Sequence, residues 1–192
     1  MRLGRTVVLL AGLTSALLLS GCSQQGPQVP DSGFVAGDGV DEWRHPTTQP
    51  VDFSGPTVNG GRFRSADHRG EVLVVNFWYA GCGPCIAEAP DLRTVAAAYT
   101  GKDVQFVGVN IRDEAGEARP FEVRNRITYP SILDQANGGA AQLAFASSIQ
   151  PNAVPTTLVV DKDGRVTARI LGRVNASVLR TLIDAARSGR DA

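Results

Sequence analysis

Apolar and polar positions along the chain form a pattern that predicts strands separated by helices. Residues 71–79, EVLVVNFWY, are a β-branched and aromatic run without strict alternation, which is typical of a strand buried on both faces. Residues 84–99 follow with apolar positions at helical spacing, and the predicted inner face contains Ile86, Ala89, Leu92 and Val95. The pattern therefore predicts a central strand that leads directly into a helix.

Further strands and helices are predicted on both sides of this pair. Strands are expected over residues 104–111, 129–133, 156–161 and 165–171, and helices over residues 114–126, 139–147 and 176–188. Pro120 should break or restart the helix that contains it. Upstream, Asn59-Gly60-Gly61 tolerates positive φ between two short strands and predicts a hairpin. This order predicts an α/β sandwich with a mixed central sheet and an N-terminal hairpin, in one domain over residues 49–190.

The N-terminus has the layout of an export signal. Arg2 and Arg5 precede an apolar stretch over residues 7–19, which is too short for a membrane-spanning helix of about 20 residues. The segment Leu19-Ser20-Gly21-Cys22 resembles the lipobox of bacterial lipoproteins, which implies a signal peptide over residues 1–21 and a lipid on Cys22. A soluble exported protein and an uncleaved anchor remain the alternatives.

The segment that follows Cys22 is rich in Gly, Pro, Gln and Asp and has no apolar period. This composition predicts a flexible tether over residues 22–48, which would hold the domain at the outer face of the cytoplasmic membrane. The chain has 19 basic and 19 acidic residues, so no net field favours a nucleic-acid partner.

The cysteines carry the candidate chemistry. A lipid on Cys22 leaves Cys82 and Cys85 as a pair, and a bridge across so short a loop stabilises a fold little. Outside the cytosol such a pair favours redox chemistry. The turn from strand to helix should expose Cys82 at the helix N-terminus, where free N–H groups favour its thiolate, and Pro84 suits the first helical turn. Cys82 is therefore the predicted nucleophile, and the more enclosed Cys85 is the predicted resolving thiol.

Three other interpretations of the pair are weaker. A zinc site lacks a second cysteine pair, and His45 and His68 have no paired spacing, so we expect no metal. A copper carrier with two thiolate ligands is a second alternative, although no histidine follows residue 68. An inert local disulfide is the third.

Residues 76–85, NFWYAGCGPC, resemble the active-site strand and turn of the thioredoxin superfamily. Val154-Pro155-Thr156 matches the second landmark of that superfamily, a proline after a cis peptide that faces the cysteine pair. The resemblance covers residues 51–189. It implies a thioredoxin-like three-layer sandwich and a redox-active disulfide without a further cofactor. It also implies that Trp78, Gly83, Pro84, Val154 and Pro155 support the pair.

Within the superfamily the chain is similar to the TlpA/ResA-like group of membrane-attached reductases, some of which serve cytochrome c maturation. The hairpin before the first core strand, Asn76 and the Cys-x-x-Cys-x-x-Glu spacing of Glu88 carry this resemblance. Gly81 departs from it, because a tryptophan commonly precedes the first cysteine. Glu88 should help to move the proton of the resolving thiol, and a solvent-facing position on the helix is the alternative.

The resemblance implies a monomeric reductase that acts on exported proteins with cysteines and receives electrons from a membrane donor. A disulfide-forming oxidase or isomerase is the alternative of the same class, because the direction depends on a redox potential that the sequence does not give. The setting of Cys82 does not match the Thr-x-x-Cys of peroxiredoxins, which argues against peroxide chemistry.

Overall fold

A computed structural model of the protein describes residues 34–37, 39–43, 47, 49–150 and 153–189, with the backbone alone for the strands within residues 34–43. The predicted signal peptide, Cys22 and His45 lie outside the described residues.

From β3 onward the described strands and helices follow the predicted order. The strands are β1 (Phe34–Gly37), β2 (Val40–Trp43), β3 (Ser54–Pro56), β4 (Arg62–Arg64), β5 (Val72–Trp78), β6 (Val104–Asn110), β7 (Ser131–Leu133), β8 (Thr156–Val160) and β9 (Val166–Leu171). The α-helices are α1 (Gly83–Ala98), α2 (Ala115–Asn125), α3 (Ala140–Ala144) and α4 (Ala176–Ser188), and single 3₁₀ turns occupy Ser65–His68 and Gln135–Asn137.

The sheet is mixed, as predicted. Among the described residues it has seven strands in the order β1-β2-β9-β8-β5-β6-β7, and β3 pairs with β4 as a separate hairpin. β5 lies parallel to β6 and antiparallel to β8, and all seven of its residues are buried. The central position of β5 explains its continuous apolar run, since both of its faces are covered.

The two faces of β5 contribute to different parts of the core. Val72 and Val74 pack with α1 and α4, whereas Leu73 and Val75 face the opposite layer. α4 is strongly amphipathic and buries its inner stripe of Leu179, Leu182, Ile183 and Ala186. Helices on one face and the hairpin with α3 on the other make the predicted three-layer arrangement.

Two details of the predicted helices are wrong. Ile86 was placed on the inner face of α1, but it is 42% exposed, because the buried stripe begins at Cys85 and continues through Glu88 and Ala89. Pro120 does not break α2, which is continuous around it. Gly116 and Pro120 are both exposed, so the carbonyl oxygen that loses its N–H donor lies where water can replace it.

The structure also differs from the expected flexible tether over residues 22–48. β1 and β2 form a hairpin, and β2 adds to the sheet by pairing antiparallel with β9. Residues 40–43 form a strand because their backbone hydrogen-bonds to the edge of β9, and the composition of this segment does not predict that pairing.

The buried stripe of α4 gives a stability prediction. Leu179→Ala should lower the free energy of unfolding by about 2 to 5 kcal/mol, because it leaves a cavity in the core between α4 and the sheet. Leu143→Ala is the matched control: Leu143 is 76% exposed, so its replacement should change stability by about 0.5 kcal/mol or less. Urea unfolding of the two variants measures both values, and equal losses would contradict the assigned packing.

Candidate active site

Cys82 and Cys85 are joined as a disulfide at the junction of β5 and α1, with their Cα atoms 5.2 Å apart. Cys82 is the N-cap of α1, and its Sγ accepts a hydrogen bond of 3.2 Å from the backbone N–H of Cys85. Pro84 occupies the first turn, where its missing N–H has no partner to lose. The Cys82 sulfur therefore lies against the positive end of the helix, which favours a thiolate after reduction.

Both cysteines are buried, which corrects the expectation that Cys82 is exposed. Cys82 is 3% and Cys85 is 2% exposed, and both belong to a cluster with Val58, Trp78 and Phe121. Val58 comes from the turn between β3 and β4, so the predicted hairpin supplies part of this cover. The neighbouring Gly81, Gly83 and Pro84 are accessible to solvent. The disulfide thus lies directly beneath the surface.

The turn before Cys82 is held by residues that the sequence analysis did not identify. The Ala80 N–H donates to Asp113 Oδ2, which also accepts a 2.8 Å bond from Asn110 Nδ2. Asn110 Oδ1 in turn accepts from the backbone N–H groups of Arg112 and Asp113. Asn110 is the last residue of β6, which pairs in parallel with β5. Its position at the carboxyl end of the neighbouring strand was the sequence signal that could have identified it as a residue near the active site.

The space next to Gly81 is partly filled by another aromatic ring. A side chain at Gly81 would meet the ring of Tyr79 at 3.5 Å, and the guanidinium of Arg112 lies 3.9 Å from the centre of that ring. This separation is typical of a cation–π contact. Tyr79 thus lies beside the position where the resemblance leads one to expect tryptophan.

The peptide bond between Val154 and Pro155 is cis. Val154 packs against the cluster that contains both cysteines, so the structure brings this loop to the pair. The carbonyl oxygen of Pro155 accepts a 2.9 Å hydrogen bond from the Gly172 N–H, which ties the loop to the end of β9.

Glu88 is fully buried, so its alternative placement on a solvent-facing side of the helix is wrong. Its Oε1 accepts a 2.8 Å bond from Asn76 Nδ2, and its Oε2 accepts a 2.9 Å bond from the Val174 N–H. Burial raises the pKa of Glu88 to about 7, and these two hydrogen bonds and the positive charge of Arg173 oppose the increase. Glu88 can therefore gain or lose a proton near neutral pH.

Trp78 and His68 have packing roles in the structure. The indole of Trp78 stacks on Phe121 with ring centres 4.3 Å apart. His68 stacks on Phe63 and contacts Glu71 through Nδ1 at 2.8 Å. Among the described residues, no group of three or more His, Cys, Asp or Glu side chains could hold a metal ion. Within the same residues, no helix has both the length and the apolar character needed to cross a bilayer.

Comparisons with known proteins agree with this geometry. The chain is similar to thiol-disulfide oxidoreductase ResA of Geobacillus thermodenitrificans, with 30% identity over 121 residues that cover 63% of this chain and 66% of that protein. The match thus spans just under two thirds of that relative. The chain is also similar to thiol:disulfide interchange protein HelX of Rhodobacter capsulatus, with 29% identity over 175 residues that cover 85% and 94% of the two chains.

Solved structures show the same fold. A thioredoxin-family thiol:disulfide interchange protein from Chlorobium tepidum superposes with a TM-score of 0.67 at 28% identity, covering 74% of this chain and 97% of that one. A DsbF homologue from Corynebacterium diphtheriae gives a TM-score of 0.65 at 30% identity, covering 78% and 94%. The predicted thioredoxin-like fold and the resemblance to ResA-like proteins are therefore confirmed. Residues 45–183 match the model of the Redoxin family, and because this match covers more than half of the chain, the protein belongs to that family.

Proposed function

We propose that the protein is an extracytoplasmic thiol-disulfide oxidoreductase that uses Cys82 and Cys85. The observation that carries this proposal is the disulfide at the N-terminus of α1, beneath the surface and beside the loop of Val154 and Pro155. The names of the relatives, all of them thiol-disulfide exchange proteins, support the same reaction class.

In the reducing direction the reaction has two steps. The Cys82 thiolate attacks one sulfur of a substrate disulfide, which forms a mixed disulfide and releases the first substrate thiolate. Cys85 then loses its proton, and its thiolate attacks the Cys82 sulfur and releases the second substrate thiolate. Two electrons pass from the cysteine pair to the substrate, and the disulfide between Cys82 and Cys85 forms again.

We propose that Glu88 accepts the proton of Cys85 in the second step. Glu88 lies one helical turn beyond Cys85, and its pKa of about 7 matches the working pH of a general base. Asn76 and the Val174 N–H hold its two carboxylate oxygens, so they position the base without taking part in the proton transfer.

We propose the reducing direction, with exported proteins that carry cysteines as substrates, including those of cytochrome c maturation, and a membrane protein as the electron donor. The resemblance to the TlpA/ResA-like group of reductases supports this choice over a disulfide-forming oxidase, and the relatives are named for thiol-disulfide exchange. The supporting roles proposed for Trp78, Gly83, Pro84, Val154 and Pro155 are to cover the disulfide and to shape the surface on which the substrate docks.

We also propose that residues 1–21 are a signal peptide and that Cys22 carries the lipid anchor of a domain over residues 49–190. β1 begins at Phe34, so eleven residues separate it from Cys22. A flexible chain of that length spans about 18 Å root-mean-square. The domain would therefore stay close to the bilayer.

The first prediction concerns the cysteine pair. The purified protein should cycle between dithiol and disulfide in glutathione buffers, with a potential more negative than about −200 mV if it is a reductase. Cys85→Ser should accumulate mixed disulfides through Cys82, because the resolving thiol is missing. Non-reducing electrophoresis with mass spectrometry identifies the trapped bond.

Cys82→Ser is the control for this experiment and should trap no partner. Trapping through Cys85 in that variant would reverse the two roles. A redox potential of about −120 mV would instead indicate an oxidase.

The second prediction concerns Glu88. In the wild type the rate of the resolving step should rise through about pH 7 as Glu88 ionises, and Glu88→Gln should remove this inflection and slow the step at least about tenfold. Stopped-flow measurement of mixed-disulfide decay across pH gives both values. Glu117→Gln, at an exposed position of α2, is the control and should leave the profile unchanged.

Glu88 should also make stability depend on pH. Its pKa is higher in the folded than in the unfolded protein, so the folded state holds the extra proton between about pH 4.5 and 7, and stability falls as pH rises through this range. The loss should be about 3 kcal/mol at most. Urea unfolding across pH should show this slope in the wild type and its absence in Glu88→Gln; an unchanged slope would contradict the burial of the charge.

The third prediction concerns the anchor. Cys22→Ser should move the protein from the membrane fraction to the soluble extracytoplasmic fraction, because the lipid attachment site is lost. Cell fractionation with immunodetection measures the distribution. Ser23→Ala is the control, and retention of Cys22→Ser in the membrane would refute a lipid tether.

A further inference from the structure

A small cavity lies against Cys85, on the inside of the protein. Its volume is about 10 Å³, close to the smallest space that holds one water molecule. Its lining combines Cys85 and the polar residues Asn76, Tyr129 and Ser131 with apolar side chains. A water in this cavity would have the two or more polar partners that buried waters require.

Ser131 presents an unused hydroxyl at this cavity. The residue is 1% exposed, and its Oγ makes no hydrogen bond. Gly108 faces Ser131 across the β6–β7 pair, and a side chain at Gly108 would collide with Ser131 Oγ and Trp78 Nε1. The glycine therefore leaves room for a hydroxyl that has no protein partner.

Glu122 is a second buried carboxyl group, which the proposed mechanism does not use. It is 3% exposed; its Oε2 accepts a 2.9 Å bond from Asn59 Nδ2, whereas its Oε1 is buried and unpartnered. Burial raises the pKa of Glu122, and the nearby Ser131 hydroxyl, the Asn59 amide and the charge of Arg119 oppose the increase.

Two other ionisable residues, Arg119 and Tyr129, lie near Glu122. Arg119 on the same helix donates through Nη2 to the Val58 carbonyl at 2.9 Å. Tyr129 follows α2 in the chain, and its hydroxyl stays protonated because burial, with the charges of Glu88 and Glu122, raises its pKa. Tyr129 therefore does not compete with Glu122 as a proton acceptor.

Among the described residues, Glu122 Oε1 and Ser131 Oγ are the buried side-chain oxygens with no hydrogen bond of ordinary geometry, and the two residues are close enough for the Ser131 hydroxyl to lower the pKa of Glu122. Leaving a buried polar atom without a hydrogen bond destabilises a protein, so two such atoms together require an explanation. We propose that the cavity binds one water that links the Cys85 thiol through Ser131 to Glu122, which makes Glu122 a second proton acceptor for the resolving step. This inference rests on the thiol-disulfide exchange proposed above.

The proton transfer balances without an added reactant. When Cys85 attacks the mixed disulfide, its S–H proton passes to the water, a water proton passes to Ser131 Oγ, and the Ser131 proton passes to Glu122 Oε1. The sulfur keeps the electron pair that forms the new bond with Cys82. When a donor later reduces the disulfide, the proton returns along the same path to the Cys85 thiolate.

The two buried carboxyl groups differ in what their oxygens already bind. Both oxygens of Glu88 accept hydrogen bonds from fixed donors, whereas Glu122 keeps Oε1 free beside a hydroxyl. Glu122 Oε1 therefore has the Ser131 hydroxyl as its neighbouring proton donor. Its path passes through strand β7, so it is separate from the path to Glu88.

The test measures the resolving step against pH in full-length protein. In a Glu88→Gln background, where the path through Glu122 carries the remaining proton transfer, Ser131→Ala and Glu122→Gln should each slow mixed-disulfide decay by about a further tenfold, while the first attack by Cys82 keeps its rate. The double variant should be no slower than either single variant, because both residues act on one path. In the wild type, where Glu88 carries most of the proton transfer, the same replacements should slow the decay by less than about twofold.

Controls separate this role from a structural one. Ser131→Ala loses no hydrogen bond of ordinary geometry, so it should fold even if Glu122→Gln does not. Ser65→Ala, which removes a buried hydroxyl in another part of the core, should leave the resolving rate unchanged. In the Glu88→Gln background, unchanged decay on replacing Ser131, or additive losses when Glu122 is replaced as well, would overturn the relay and leave the exchange function intact. Failure of the wild type to form mixed disulfides would instead refute the function itself.

Discussion

The attachment of α1 to the end of β5 is the constraint on which the rest of the site depends. β5 is buried along its whole length and leaves the sheet at Trp78, and α1 begins five residues later at Gly83. The short connection places a cysteine at the N-cap, where unpaired backbone N–H groups point towards its sulfur. Asp113 holds this connection through the Ala80 N–H, so the geometry of the sulfur also depends on the neighbouring strand β6.

A second feature of the site is that polar groups reach the disulfide from inside the protein. Asn76 on β5 links Glu88 on α1 to Thr157 on β8, which joins three elements around one carboxylate. Burial of these groups costs stability, and their hydrogen bonds recover only part of that cost. This loss of stability comes from groups within about one helical turn of Cys85, where a carboxyl group that titrates near neutral pH can exchange a proton with the thiol.

Local patterns predicted most of the fold. The buried run of β5, the glycines between β3 and β4 and the amphipathic stripe of α4 each have a signal within about twenty residues, so their elements were expected near their observed positions. The Cys-x-x-Cys turn and the proline at position 155 were also visible. The structure shows their proximity, together with the cis bond that a sequence cannot establish.

Features that depend on distant partners were missed. The burial of Glu88 requires the Val174 N–H, which lies 86 residues away, and Glu122 is buried by the turn that carries Asn59. The exposure of Ile86 follows from the rotation of α1 about its axis, which depends on the whole core. The composition of residues 34–43 suggested a flexible coil, because a strand that gains its order from the edge of a sheet needs no apolar period of its own.

The pairing of β2 with β9 changes which backbone N–H and C=O groups at the edge of the sheet lack a hydrogen-bond partner. Without β2, the strand β9 would present a six-residue row of amide and carbonyl groups along one side, and such a row can recruit strands from other molecules. With β1 and β2 in place the outer boundary is a four-residue strand that ends in glycine. The segment that precedes the domain therefore replaces a six-residue open edge with a four-residue one on that side of the sheet.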